Sequence, residues 1–252
     1  MLVDLNGKVA LVTGGARDIG RAISLRLAEC GAAVGINYLG SGDRAKELIN
    51  EITGSGGRAI AVRADVTKAD EITRMVSEVR AAFGDRIDIL VNNAGGLVAR
   101  KKVTEMDEAF WDQVMALNLK SVFLVTQAVL PHIPNGGAIV NLSSIAARDG
   151  GGGGSIAYAS AKGGVLTFTR GLSKELASRR IRVNCVSPGL IDTTFHDTFT
   201  TPEVRKAVTG RTSIGREGTS SDVAQSVLFL ASDAAAYITG ESIEINGGLY
   251  FV

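Results

Sequence analysis

Seven short apolar runs, spaced so that a helix fits between each pair, constrain this chain more than any other feature. They are Val9–Val12, Ala33–Ile36, Ala59–Val62, Ile87–Val91, Ala138–Leu142, Arg182–Val186 and Ser242–Ile245. Runs this apolar on both faces suit strands buried beneath helices on either side, as in a parallel sheet. The intervening segments carry a helical period. In Ile19–Cys30 the residues Ile19, Ala22, Ile23, Leu25, Leu27 and Ala28 define a broad apolar face, and Gly31 follows as a stop. Asp70–Phe83 repeats the arrangement with Ile72, Met75, Val76, Val79 and Phe83 before Gly84. Phe110–Leu130 and Ala157–Ala177 are longer and apolar on more than one side, which points to a subunit contact. Ser220-Ser221-Asp222 reads as a cap for Val223–Ala231. No linker divides the chain. The expectation is one α/β domain over residues 1–252, doubly wound, with about seven parallel strands and helices on both faces.

Charge excludes some partners. With 27 basic against 26 acidic side chains the formal charge is +1, and no basic stripe supports a nucleic-acid or anionic-membrane partner. The 31 glycines beside only four prolines lie at strand ends inside apolar segments, unlike a disordered composition. Cys30 and Cys185, with no CxxC, read as small buried apolar residues in a reducing compartment. The N-terminus has neither the basic start nor the apolar run of a signal peptide, and no uninterrupted apolar stretch approaches the ~18 residues of a spanning helix. A cytoplasmic protein is expected, and no metal site.

Thr13-Gly14-Gly15-Ala16-Arg17-Asp18-Ile19-Gly20 follows the first strand and opens the first helix. That is the place where glycines permit a tight turn and a helix N-terminus presents free N–H groups to a dinucleotide pyrophosphate. The segment resembles the TGxxxGxG fingerprint of the short-chain dehydrogenase/reductase family, and the likeness continues in order from about Gly7 to Val252. Asn92-Asn93-Ala94-Gly95 is similar to the family's NNAG element, Tyr158-Ala-Ser-Ala-Lys162 to its YxxxK, and Pro188-Gly189 to its PG segment. The resemblance implies a Rossmann fold and a nicotinamide dinucleotide held by Gly14, Arg17, Asp18, Ile19, Asn37, Tyr38, Asp65, Val66, Asn92, Ala94, Gly95, Tyr158, Lys162, Pro188, Gly189, Ile191 and Thr193. In that assignment Asp65 bonds the adenine, or caps the following helix, and Thr193 binds the nicotinamide amide.

Asp18 stands where the family's second glycine is expected. Either it turns away as a helix cap and the cofactor binds normally, which is the favoured reading, or it lowers cofactor affinity. The end of the second strand, Asn37-Tyr38-Leu39-Gly40-Ser41, has no acid to hold a ribose 2′-hydroxyl, and Arg17 matches a basic position used against a 2′-phosphate. NADP(H) is therefore favoured, with NAD(H) left open.

Residues four apart share one face of a helix, so the Lys162 ammonium can stand beside the Tyr158 phenol. A cation there, joined by a positive nicotinamide ring, is expected to lower the tyrosine pKa. A shift of ~3 units corresponds to about 4 kcal/mol. Tyr158 would then be general acid in ketone reduction and general base in alcohol oxidation. The resemblance assigns Ser144 to polarising the substrate oxygen, with Ser143 as the neighbouring choice, and Asn118 to holding a water that relays protons to the lysine. Residues 194–216 are expected to form a substrate lid, with His196 on its surface, and Gly150–Gly154 a mobile wall or a loop of tolerated length.

These readings imply an NADP(H)-dependent reduction of a ketone to a secondary alcohol, or the reverse, with a 3-oxoacyl substrate among the candidates. A sugar or alcohol dehydrogenase using NAD(P), and a cofactor-sensing regulatory homologue, are the alternatives. Arg179-Arg180 match a basic patch that an acyl-carrier protein would need, whereas Pro131–Gly137 has no Lys or Arg. The long helices around Asn118 and Tyr158 are those through which the family forms tetramers, so a homotetramer acting on a small carbonyl or alcohol is expected.

Overall fold

All seven expected strands pair in parallel in the order β3-β2-β1-β4-β5-β6-β7. They are β1 Val9–Val12, β2 Ala33–Tyr38, β3 Arg58–Arg63, β4 Ile89–Asn92, β5 Ala138–Leu142, β6 Arg182–Pro188 and β7 Ser242–Ile245. The structure, a computed structural model, describes residues 3–252, so Met1 and Leu2 of the expected 1–252 domain lie outside the described residues. Between the strands run α1 Asp18–Glu29, α2 Gly42–Gly54, α3 Ala69–Phe83, α4 Glu108–Met115, α5 Ser121–Val129, α6 Ala146–Asp149, α7 Ile156–Glu175, α8 Thr194–Phe199, α9 Pro202–Thr209 and α10 Ser220–Ala231.

The continuous apolarity of the strands is explained by two cores. On β1, Ala10 and Val12 face the layer of α1, α2 and α10, where Ile23, Leu27, Leu48 and Val227 are buried. Val9 and Leu11 face the opposite layer, with Ile72, Met75, Val125 and Leu172. Each buried Leu, Ile or Val side chain contributes about 1.5–3 kcal/mol, so a one-residue slip of any strand would exchange two packed surfaces.

Strand order reverses between β1 and β4, and the C-terminal ends of all seven strands open on one edge. A crevice at that switch point is where open α/β sheets bind ligands. The apolar segment read as Phe110–Leu130 is broken by a π-turn at Ala116–Lys120 between α4 and α5, and such bulges concentrate at functional sites. By length and composition Glu108–His132 would suffice to cross a membrane, but it carries buried Asn118, Ser121 and Thr126 and packs against the sheet. The helix at Gly42–Gly54 has only Ala45, Leu48 and Ile52 as its buried stripe, too sparse a signal to stand out in the sequence.

Candidate active site

The turn after β1 is built by neighbours rather than by its glycines alone. Thr13 Oγ1 accepts from the backbone N–H of Asn93 (3.0 Å) and Ala94 (3.1 Å). Asn93 Nδ2 donates back to the carbonyls of Thr13 (2.9 Å) and Gly14 (3.0 Å). Asn37 is buried, its Oδ1 accepting from Gly14 N at 3.1 Å and its Nδ2 donating to Ala64 O at 2.9 Å. It therefore braces the glycine turn from β2 instead of facing a ribose. A Cβ on Gly20 would lie 2.1 Å from Gly14 O and 2.6 Å from Asn93 Nδ2, so nothing larger than glycine closes this turn. No side chain caps the start of α1, which leaves its first N–H groups directed at the crevice. A tight glycine turn against an uncapped helix start fits a dinucleotide pyrophosphate, with Gly14, Ile19 and Gly20 as its backbone contacts.

Asp18 turns away, as the favoured reading has it, but serves a different helix from its own. It has a left-handed φ of +49°, the conformation for which glycine is suited, and it caps nothing in its own helix. Its carboxylate instead crosses to the start of α8. Oδ1 accepts from Thr194 N at 3.3 Å and Oδ2 from Thr194 Oγ1 at 2.5 Å. Arg17 joins the cluster, donating to Thr194 Oγ1 at 2.9 Å and lying 3.8 Å from Asp18 Oδ2. The guanidinium thus points toward Thr194 in this conformation, and being half exposed it is free to turn toward the ribose side. With its charge engaged by these donors, Asp18 is expected to disturb the cofactor little. Asp18→Gly should change the NADPH dissociation constant, measured by fluorescence titration, by less than about tenfold.

On the adenine side, Asp65 Oδ1 accepts from Thr67 N (2.9 Å) and Thr67 Oγ1 (2.7 Å), which shapes the turn before α3. Its other oxygen has no partner among the described residues. Val66 is buried, and Tyr38, at the end of β2, is half-buried. Asn92 sits lower, inside the sheet, donating to Asn141 Oδ1 (2.9 Å) and Thr126 Oγ1 (3.1 Å). It supports the crevice floor through a buried chain that Asn141 continues to Thr169, while Ala94 and Gly95 form the rim. Arg63, at the end of β3, donates to Leu39 O at 3.1 Å on that rim, a contact with no signal in the sequence.

The catalytic candidates converge at the ends of β5 and α7. Lys162 is buried, and its Nζ donates to Leu142 O at 2.8 Å and lies 5.7 Å from the centre of the Tyr158 ring. Burial holds its pKa down to about 8. Ser143 is fixed, donating to Lys162 O at 2.8 Å. Ser144 accepts from Ala146 N at 3.1 Å, and its hydroxyl lies on the Tyr158 side, where it favours the phenolate. Of the two serines, Ser144 therefore faces the reacting position. Burial raises the Tyr158 pKa, with the Ser144 hydroxyl opposing it. The expected lowering counted a positive nicotinamide ring beside Lys162; the ammonium alone, at this distance, does not offset the loss of water around the phenol.

Asn118 also differs from its expected use. Its side chain is saturated by backbone, accepting from Gly96 N (2.9 Å) and donating to Gly96 O (2.9 Å) and Val114 O (3.0 Å). It pins the NNAG loop to the π-turn, so any role with water falls to its main chain. A Cβ on Gly95 would come within 2.8 Å of Asn118 Oδ1 and 3.1 Å of Lys162 Nζ, which shows how closely the loop approaches the lysine. Pro188 O accepts from Ile145 N at 2.9 Å, and Gly189 packs on Asn246. Ile191 is buried and Thr193 Oγ1 donates to Ile191 O at 3.1 Å.

Residues 194–216, expected as a substrate lid, contain α8 and α9. Phe195 lies over the site, 6.0 Å from Tyr158 between ring centres, and packs edge-on against His196 and Phe199. Val98, Met106 and Phe110 complete an apolar wall around the tyrosine. Val98 has φ +66°, a strained conformation for a β-branched residue and of a kind that collects at functional sites. The glycine run is stitched in place: Arg100 donates to Gly153 O (2.9 Å) and to Phe199 O (3.0 Å), and Lys101 N to Gly154 O (3.0 Å). His196 is half-buried, bonded through Nδ1 to Thr200 Oγ1 at 2.8 Å, and loss of water beside Arg205 lowers its pKa to about 4. A depressed histidine binds fewer protons folded than unfolded below pH ~6.5, so its contribution is present above that pH and is lost as pH falls toward 4. The protection of amides 194–209, taken relative to their intrinsic exchange rates at each pH, should therefore fall between pH ~6.5 and about 4, and His196→Gln should flatten that dependence.

This geometry coincides with what comparison finds. Residues 14–250 match a family model described as "Enoyl-(Acyl carrier protein) reductase". The chain is 42% identical over 245 residues to a 3-oxoacyl-[acyl-carrier-protein] reductase of Staphylococcus aureus, covering 96% of this chain and 98% of that one. It is 43% identical over 252 residues to the enzyme of that name from Thermotoga maritima, covering 97% and 98%. Among solved structures, a dehydrogenase/reductase from Sinorhizobium meliloti superposes with a TM-score of 0.94 at 36% identity, over 99% of this chain and 98% of that one. A short-chain dehydrogenase/reductase from Serratia marcescens gives 0.92 at 38%, over 97% and 98%. With the switch-point crevice, the glycine turn and the serine–tyrosine–lysine cluster in one place, and full-length likeness to these reductases, the chain belongs to the short-chain dehydrogenase/reductase family.

Proposed function

We propose that this oxidoreductase uses NADP(H) to reduce a ketone to a secondary alcohol, with a 3-oxoacyl group as the favoured substrate. The observation that carries the reading is the Ser144–Tyr158–Lys162 cluster, placed beneath an apolar wall at the mouth of a crevice fitted to a dinucleotide. The cofactor supplies hydride to the carbonyl carbon. Ser144 donates a hydrogen bond to the carbonyl oxygen, where negative charge develops, and Tyr158 passes it the phenolic proton. Lys162, protonated below about pH 8, stabilises the phenolate left behind. Thr193, Pro188, Gly189 and Ile191 orient the nicotinamide end, while Gly14, Arg17 and Ile19 hold the pyrophosphate end, and the Asp18 side chain faces away from it. Asp65, Val66, Tyr38, Ala94 and Gly95 enclose the adenosine, and Asn37, Asn92 and Asn118 position these loops. Residues 194–216 act as the lid, with Phe195 and Phe199 meeting the substrate's apolar part.

The 3-oxoacyl preference follows the names of the relatives at 42% and 43% identity and the apolar lining around Tyr158. Arg179 does not offer its guanidinium to an acyl carrier, since it donates to Leu130 O at 3.2 Å and to Ile133 O, so Arg180, exposed beside it, would carry that contact. Trp111, Phe123 and Ile156 are apolar side chains left exposed on α4, α5 and α7. They support a homotetramer assembled through those helices, which light scattering tests; a monomer would contradict it. Free Cys30 and Cys185 agree with a reducing cytoplasm.

Steady-state rates with NADPH and NADH on a panel of 3-oxoacyl thioesters, free ketones and sugars test the assignment. NADPH with a 3-oxoacyl thioester should give the highest kcat/KM, and the rate should decline above about pH 8 as Lys162 loses its proton. A preference for sugar oxidation with NAD would reverse it.

A further inference from the structure

We propose that Asp18 is a positioning residue that ties residues 194–209 to the dinucleotide loop and keeps that segment seated over the site before any ligand arrives. Only the consequence for substrate rests on the reading of this segment as a lid. Thr194 is 176 positions from Asp18 in sequence, yet both carboxylate oxygens accept from it, one from its N–H and one from its hydroxyl. Arg17 donates to the same hydroxyl, which closes a three-residue cluster in which Thr194 Oγ1 both donates and accepts. Among the described residues, every hydrogen bond from 194–209 to the chain before residue 40 passes through Thr194 to this pair.

Other anchors of the segment lie elsewhere. Arg205 pairs with Asp192, Asp197 and Glu217, all close to it in the chain, and Phe199 O takes Arg100 from the wall beside Tyr158. None of these reaches the glycine turn. Thr193 Oγ1, the nearest hydroxyl that could satisfy the start of α8, is directed to Ile191 O, so the Thr194 N–H depends on Asp18.

The backbone supports the same conclusion. Asp18 is held at φ +49°, where aspartate is tolerated better than most residues but less well than glycine. A non-glycine residue keeps such a conformation when its surroundings over-determine it, and here the surroundings are Thr194 and Arg17. An acid in the first turn serving only its own helix would bond a free N–H of α1, and Asp18 bonds none.

Hydrogen exchange of the ligand-free protein tests the tie. Peptides from 194–209 should exchange about tenfold faster in Asp18→Gly, consistent with loss of a capping carboxylate, while peptides from β4 and β5 stay unchanged. Thr194→Val, which keeps the N–H but removes the hydroxyl, should give a smaller acceleration. The double variant should exchange no faster than Asp18→Gly alone, as expected for two residues of one interaction. Unchanged exchange of 194–209 in Asp18→Gly, or a double variant whose effect is the product of the two single ones, would overturn the proposal. Because no substrate or cofactor is present, the outcome is independent of whether the protein reduces ketones. With substrate, Asp18→Gly should raise KM about tenfold and lower kcat less than threefold, in keeping with loss of lid placement rather than of chemistry.

Discussion

Tyr158→Phe lowers kcat about 10³-fold, within the range for removal of a positioned general acid, while NADPH affinity stays within about threefold because the ring that shapes the pocket remains. The ring belongs to the apolar cluster around Phe110, Val114 and Ala157, and only the phenolic oxygen is lost. Stability should change by less than about 1.5 kcal/mol, the scale of one hydrogen bond. Steady-state kinetics beside a thermal melt separate these effects. A variant retaining more than about a tenth of the wild-type rate would remove Tyr158 from the proton path, leaving Ser144 or a water as the donor.

Gly20→Ala should be the most damaging single methyl group in the protein. Its Cβ would sit 2.1 Å from a backbone oxygen and 2.6 Å from Asn93 Nδ2, and neither can retreat, since Asn93 is bonded to both Thr13 and Gly14. Relief requires the glycine turn to open, which removes the N–H cradle. We expect NADPH affinity to fall at least about a hundredfold, the loss of two or so charge-assisted hydrogen bonds. Overpacking of this kind costs about 1–3 kcal/mol, which lowers Tm by roughly 3–10 °C in a domain of this size. Isothermal titration and calorimetry check both, and unchanged binding would mean that the turn is not the pyrophosphate site.

The sheet was legible because buried parallel strands leave an unmistakable pattern: Val9–Val12 and Ala138–Leu142 are apolar at almost every position, and β1 and β5 have those bounds. The catalytic cluster was legible because spacing along one helix determines proximity, so Tyr158 and Lys162 had to be neighbours. What sequence could not supply was the destination of short polar side chains. Asn37 and Asn92 read as cofactor contacts and Asn118 as the holder of a water, yet the amides of Asn37 and Asn118 are taken up by backbone, and the Asn92 NH2 by Asn141 and Thr126. A buried amide must satisfy its hydrogen bonds, and its partners lie in distant strands and loops. The partner of Asp18 was hidden for the same reason, since Thr194 lies 176 positions away. For Tyr158, spacing reveals a cation but not how far water is excluded from the phenol.

In the proposed reaction hydride passes from NADPH to a ketone carbon above Tyr158. NADPH deuterated at C4, each face labelled in turn, tests this with wild-type protein and a 3-oxoacyl thioester, by mass analysis of the product. One labelled face should deliver a single deuterium to the carbinol carbon, and Tyr158→Phe should slow its appearance about 10³-fold. Absence of deuterium from any product with either label, across the thioester and ketone panel, would contradict it.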